Sequence, residues 1–179
     1  AADFGGLSIL INNAGIASRG KTVADTDPAE FERVMRVHAF APHFVSKCAL
    51  PHLRKNARAD VIMISSVATL NHSANGAPYN MGKAACEALA LTLAKEEQKN
   101  GIRVNIVAPS LTVSDMGEKL AKAVAGVSDI HELDKSFPFG RVSVPEDVAA
   151  AVVWLVSPAN AYASGQKINI DGGGMATLK

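Results

Sequence analysis

The chain has no surplus of either charge: eighteen Lys and Arg face seventeen Asp and Glu, a net charge of +1 over 179 residues. That balance gives no electrostatic case for nucleic acid or an anionic membrane as a partner. Long hydrophobic runs are missing too. The longest apolar stretches are strand-length, so none spans a bilayer, and no signal-peptide pattern opens the sequence. Cysteine is scarce. Cys48 and Cys86 fall in different predicted helices without metal-ligand spacing, which reads as two buried free thiols in a reducing compartment, the cytoplasm. His43, His52, His72 and His131 show no ligand spacing either, so no metal site is expected. No internal repeat or low-complexity linker divides the chain, and residues 1–179 read as a single domain with one core.

What the chain does have is an alternation of strand and helix. Short β-branched runs start near Leu7, Val61, Arg103 and Lys167. Between them, Asp27-Pro28 opens a helix that continues past Pro42 to Leu53, and Pro78 opens another that stops at Asn100-Gly101. A variable region, Ser110 to Phe139, has a helical centre at Met116 to Val124, and Pro145 starts a last helix that closes at Ser157-Pro158. Within that region Leu111, Met116, Leu120, Phe137 and Phe139 fit a partly apolar lid or a helix packed on the core. Repeated strand–helix units imply an α/β fold, a parallel sheet covered on both faces. The Leu7 strand would then be an edge lacking a neighbour.

Tyr79 and Lys83 lie four apart in Ala77-Pro78-Tyr79-Asn80-Met81-Gly82-Lys83. On a helix that spacing puts the phenol and the ammonium on one face. A free tyrosine ionises near pH ~10, and a nearby cation can lower that by roughly 1–3 units, so the pair reads as a tuned acid/base. Just upstream, the strand Asp60–Ile64 ends in Ser65-Ser66 and a predicted loop, Val67 to Ala77. Ligands of open α/β sheets bind outside the carboxyl ends of the strands, where a serine hydroxyl can meet a substrate oxygen. The plainer reading is that both serines only terminate the strand.

Ser66, thirteen positions before Tyr79, together with Tyr79 and Lys83, resembles the catalytic triad of the short-chain dehydrogenase/reductase family, 3-oxoacyl-acyl-carrier-protein reductases among them. Asn12-Asn13-Ala14-Gly15, Arg103-Val104-Asn105 with Ala108-Pro109, and Gly165-Gln166 with Asp171-Gly172-Gly173 resemble three further family elements, in family order. The resemblance implies a Rossmann-type doubly wound sheet in a three-layer α/β/α domain. It implies hydride transfer between NAD or NADP and a small carbonyl or alcohol, in a homodimer or homotetramer. Tyr79 would exchange the proton and Ser66 would hydrogen-bond the reacting oxygen. Lys83 would tune Tyr79 and reach the nicotinamide ribose. Asn13, Ala14 and Gly15 match positions near the adenosine side, and Thr112 and Ser114 match positions near the carboxamide and phosphate.

Against that pattern, no Gly-x-x-x-Gly-x-Gly turn occurs, and Gly172-Gly173-Gly174 is followed by no helix. The match therefore reads as the C-terminal ~70% of such a domain, without the ~70–80 residues of its first βαβαβ half, and the oxidoreductase activity is expected provided that half is present in the real protein. The alternative is a truncated, non-catalytic scaffold or oligomerisation module. Two residues depart from the family. Ser110 stands where a glycine is usual. His38 matches the fourth catalytic position, normally Asn, whose backbone carbonyl serves a water relay to Lys83 while the side chain steadies a helix bend. A shuttle role for the imidazole, with a pKa near neutrality, is the competing expectation. Asp171 is expected to form a turn, and His72 to be close enough to touch substrate.

Overall fold

The apolar runs become four strands in a computed structural model that describes Asp3 and residues 5–174. They are β1 Ile9–Asn12, β2 Ala59–Ile64, β3 Ile102–Pro109 and β4 Lys167–Ile170. All pair in parallel, in the order β1-β2-β3-β4. Parallel neighbours require crossovers, and helices supply them.

The first crossover starts where the sequence signals it. Asp27 Oδ1 accepts the Ala29 N–H at 2.8 Å, and Pro28 occupies the first turn of α1, Pro28–Met35. The helix then widens into a π turn over Arg36–Phe40 before α2, Ala41–Leu53. Pro42 has no N–H to return to the His38 carbonyl four residues back, and in the widened turn Ala41 N–H donates to the Arg36 carbonyl instead. The bend expected at His38 therefore has a backbone cause in Pro42.

The expected loop after Ser66 contains a short helix, α3 Ala68–Asn71, which a string of Ala, Thr and Leu does not signal clearly at this length. The long helix α4, Ala77–Glu96, is extended by a 3₁₀ turn and ends at Gly101. Gly101 has φ 71°, and a Cβ there would sit 2.9 Å from the Ala57 carbonyl oxygen, so glycine is required twice over. Beyond β3 come α5 Asp115–Ala125, a 3₁₀ segment Ile130–Ser136, and α6 Pro145–Val156. No helix among the described residues is long and apolar enough to cross a membrane.

Strand alternation sends side chains to two cores. Val61, Met63, Val104 and Ile106 meet Leu53 of α2 and Cys86, Ala90 and Leu93 of α4. Ile62 and Val107 face the other way, against Val152 and Leu155 of α6. Each fully buried aliphatic side chain here contributes about 1.5–3 kcal/mol. β1 differs. Leu10 packs on the first core, while Ile9 and Ile11, on the α6 side of the sheet, are 40% and 46% exposed. Among the described residues β1 pairs only with β2, as the edge-strand reading expects.

Two side-chain expectations change. Cys86 is buried, but Cys48 is exposed, because its place on α2 turns outward from the Ala49–Leu53 stripe. Of the five residues left between lid and core, Leu111 and Phe137 pack around Ala121, Ile130 and Val142, whereas Met116, Leu120 and Phe139 are exposed.

Candidate active site

β2 delivers Ser65 and Ser66 at its carboxyl end, and the first two turns of α4 deliver Tyr79 and Lys83 beside them. Ser66 is half-buried and starts a serine turn: its Oγ accepts the Ala68 N–H at 3.1 Å, and its carbonyl accepts the Thr69 hydroxyl at 2.9 Å. The Oγ proton is not used in that turn, and the Ser66 hydroxyl favours ionisation of the Tyr79 phenol. Lys83 is buried, with Nζ 5.8 Å from the Tyr79 ring centroid. Its ammonium donates to the Ile64 carbonyl at 2.7 Å.

The electrostatics run against one expectation. Burial pushes the Tyr79 phenol above its ordinary value, and the only opposing pull comes from Ser66. Burial also draws the Lys83 ammonium down, while the fields of Cys86 and Glu87 draw it back up.

His38 joins the cluster from the π turn. Its ring meets the Tyr79 ring edge-on, centroids 5.1 Å apart at 80°. Nε2 lies 2.7 Å from the Ile16 carbonyl oxygen and 3.3 Å from the Ile16 nitrogen. The shorter contact needs a proton on Nε2, which fixes that tautomer and leaves Nδ1 bare. Burial, reinforced by the charges of Lys83 and Arg33 and opposed by the Ile16 bond, pulls the imidazole down to about 4. A neutral ring at physiological pH does not suit a shuttle.

Two outcomes follow for His38. Its Cε1 proton is expected to show no titration between about pH 5 and 8 by NMR. His38→Asn, which can still donate to Ile16, is expected to keep turnover within about threefold and add no near-neutral ionisation to the pH–rate profile. The unfolded chain protonates near 6.5, the folded one near 4, so the unfolded state binds more protons in between. Wild-type stability is therefore lost as pH falls through that window, and the variant is spared this term.

The loop after β1 closes the site. Asn13 and Ala14 are exposed, while Gly15 is half-buried over the cluster. A Cβ on Gly15 would sit 3.2 Å from His38 Cε1 and 3.7 Å from Lys83 Nζ; one on Gly82 would sit 2.8 Å from His38 Cβ. The structure thus gathers Ser66, Tyr79, Lys83, His38 and Gly15. Thr112 and Ser114, after β3, are engaged locally: Thr112 Oγ1 donates to the Ser110 carbonyl at 3.0 Å, and Ser114 caps α5 by accepting the Gly117 N–H at 3.1 Å. Asp171 Oδ1 accepts the Gly173 N–H at 2.9 Å, a turn-former as expected, and His72 is exposed with φ 46°.

Sequence reasoning missed the clamp that holds the β1 loop. Arg33 grips buried Glu30 at 2.8 and 2.9 Å and donates to the Ala17 carbonyl at 3.1 Å, while Glu30 accepts the Arg19 N–H. Arg33 keeps the Glu30 carboxyl below the usual range against burial. The i,i+3 Glu–Arg spacing on α1 was the available signal, but it marks solvated helix faces just as often.

Four parallel strands with helices on both faces, and a Ser–Tyr–Lys cluster at their carboxyl edge, define a doubly wound Rossmann-type protein. The chain belongs to the short-chain dehydrogenase/reductase family: the family profile described as enoyl-(acyl carrier protein) reductase matches residues 1–175. It is 33% identical over 170 residues to a 3α-hydroxysteroid dehydrogenase of Mediterraneibacter gnavus, covering 95% of this chain and 66% of that protein. The 3-ketoacyl-(acyl-carrier-protein) reductase of Brucella melitensis, solved with NADH, superposes with a TM-score of 0.84 at 26% identity, over 96% of this chain and 69% of that one. The angucycline C-6 ketoreductase LanV, solved with NADP, gives 0.83 at 32% identity, over 96% and 63%. The chain spans 63–66% of the length of the first curated relatives it matches.

Proposed function

We propose that this protein works as an NAD(P)-dependent oxidoreductase on a carbonyl or secondary-alcohol substrate, with Tyr79 as its acid/base. One observation carries the reading: Tyr79 stands at the sheet's carboxyl edge, beside the strand end that bears Ser66, with the buried Lys83 ammonium 5.8 Å from its ring. The fit to a dinucleotide rests on the close approach at Gly15, where the absent side chain leaves the loop backbone directly over Lys83. Tyr79 and Lys83 would hold the nicotinamide ribose, Asn13–Gly15 the adenosine side, and Thr112 and Ser114 the carboxamide and phosphate. When bound, the cofactor supplies or takes the hydride.

The chain's own residues handle the proton. In reduction, Tyr79 Oη gives its proton to the carbonyl oxygen as that oxygen becomes an alkoxide, leaving a phenolate. Ser66 donates to the same oxygen, where charge develops. A phenol raised by burial is fully protonated at neutral pH, the form that reduction needs. Lys83 offers the positive charge that the phenolate requires once formed. His38 acts through its backbone at the π turn, with the neutral ring bracing Ile16.

Self-association as a dimer or tetramer forms part of this reading. Its support is apolar surface on the π turn, α2 and α4, including Phe40, Phe44, Met81 and Leu91, all more than 40% exposed.

The test is calorimetry with NADH and NADPH on the intact protein, followed by nicotinamide-coupled assays with a 3α-hydroxysteroid and a β-keto ester as probes. Binding of one dinucleotide with turnover of at least one probe is expected, and the preferred dinucleotide names the cofactor. Failure to bind either dinucleotide would sink the reading.

A further inference from the structure

The face of α4 that carries Tyr79 and Lys83 carries one more charged residue, for which the chemistry above has no use. Glu87 lies one turn past Lys83 and two past Tyr79. Its Oε1 collects three contacts from separate elements. Ser65 Oγ, at the end of β2, donates at 2.5 Å; Thr69 Oγ1, on α3, lies at 2.8 Å; and Lys167 Nζ, on β4, lies at 2.8 Å. Lys167 also donates to Thr69 Oγ1 at 2.6 Å. Glu87 and Lys167 side chains are only 17% and 21% exposed, so the pair is shielded from the screening that weakens surface bridges.

Ser65 and Thr69 stand on either side of Ser66. The single Thr69 hydroxyl proton is shared between Glu87 and the Ser66 carbonyl, and the Thr69 N–H reaches that carbonyl as well, at 3.2 Å. Ser66 therefore sits in a short bend whose two ends are both tied to one carboxylate. That carboxylate belongs to the same rigid helix as Tyr79, about 12 Å along it at 1.5 Å per residue. An isolated salt bridge between layers would not need to touch both flanks of Ser66.

We propose that Glu87 is a positioning residue: it ties Ser65 and Thr69 to the helix bearing Tyr79, with Lys167 as its counter-ion, and so fixes the Ser66 hydroxyl beside the phenol. The inference rests on Ser66 and Tyr79 acting as described above. Misplacement of a reacting group by about 1 Å can cost on the order of 10²-fold in rate, so a tether of this kind is felt in turnover. Glu87→Gln keeps one acceptor oxygen and loses the ion pair, and Glu87→Ala loses both.

Two measurements on the intact protein test it. By hydrogen exchange, Glu87→Ala is expected to speed exchange of the Val67–Leu70 amides about tenfold or more while β3 amides stay as in wild type, with Glu87→Gln between. By kinetics with NADH or NADPH and the responsive probe, Glu87→Ala lowers kcat about tenfold with cofactor KM nearly unchanged, and Glu87→Gln recovers much of it. The decisive comparison is in a Ser66→Ala background, where Glu87→Ala should cost less than about twofold because its action runs through Ser66. An undiminished cost there, or unchanged Val67–Leu70 exchange, overturns the proposal. If Glu87→Ala does not fold, Glu87→Gln and Lys167→Met carry the same comparisons. Failure of the oxidoreductase reading registers separately, as a Tyr79→Phe protein that turns over normally.

Discussion

Tyr79→Phe is expected to lower kcat by about 10²–10⁴-fold while leaving dinucleotide affinity within roughly threefold. The substitution keeps the ring, and with it the edge-on contact to His38 at 5.1 Å. Only the hydroxyl goes, and with it the proposed proton donor. Loss of one hydroxyl costs about 1 kcal/mol of stability, too little to unfold the chain. Loss of rate without loss of cofactor binding marks a group that acts on the reacting atoms. Steady-state kinetics beside calorimetry reads both quantities, and retention of half the wild-type kcat would remove Tyr79 from the chemistry.

Arg103→Met is expected to destabilise the fold by about 3 kcal/mol, or roughly 6–12 °C in Tm. Asp60 is buried at the start of β2, with Arg103 of β3 at 2.5 Å and Arg58 at 3.4 Å. Arg103 also donates to the Leu155 and Ala163 carbonyls, and Arg58 to the Val156 and Ser157 carbonyls, so the two guanidiniums stitch the sheet to the end of α6. Removing Arg103 leaves a buried carboxylate with its weaker partner. Burial already holds Asp60 above its ordinary value of 3.8, with both arginines opposing. A carboxyl whose folded value is raised favours the folded state most when protonated, and that contribution is lost as pH rises through the folded value. The variant raises it further, so its deficit is largest at neutral pH and shrinks as pH falls toward about 4. Thermal unfolding across that range checks the trend; a deficit independent of pH would assign the loss to packing alone. Asp60→Leu with Arg103→Met is expected to recover most of the stability, since no buried charge is then stranded.

Much of the fold was legible because it is written locally. Val61–Ile64 is the near-continuous apolar run of a strand buried on both faces, and the strand starts fall within two residues of their predicted places. Asp27-Pro28 and Asn100-Gly101 begin and end helices by capping chemistry carried in two residues each. The short α3 was missed because four residues hold no periodicity to read. Cys48 was misplaced because an i,i+1 neighbour of a buried residue points elsewhere on a helix.

The sequence by itself determined the parallel α/β architecture and the gathering of Tyr79 and Lys83 on one helix face, with Ser66 at a strand end beside them. Spacing along a helix or strand is enough to set the architecture and the shared face of Tyr79 and Lys83, whereas Ser66 was singled out by the family resemblance. Only the tertiary structure decided how those groups behave. The contact from Ile16 to His38 spans 22 residues, and it is burial among such contacts that neutralises the imidazole and raises the Tyr79 phenol. Lys83 donates to the Ile64 carbonyl, 19 residues away. Lys167 reaches Thr69 across 98 residues to complete the hold on the Ser66 bend. Desolvation and long-range pairing depend on which surfaces the folded chain brings together, and no local pattern of residues records that.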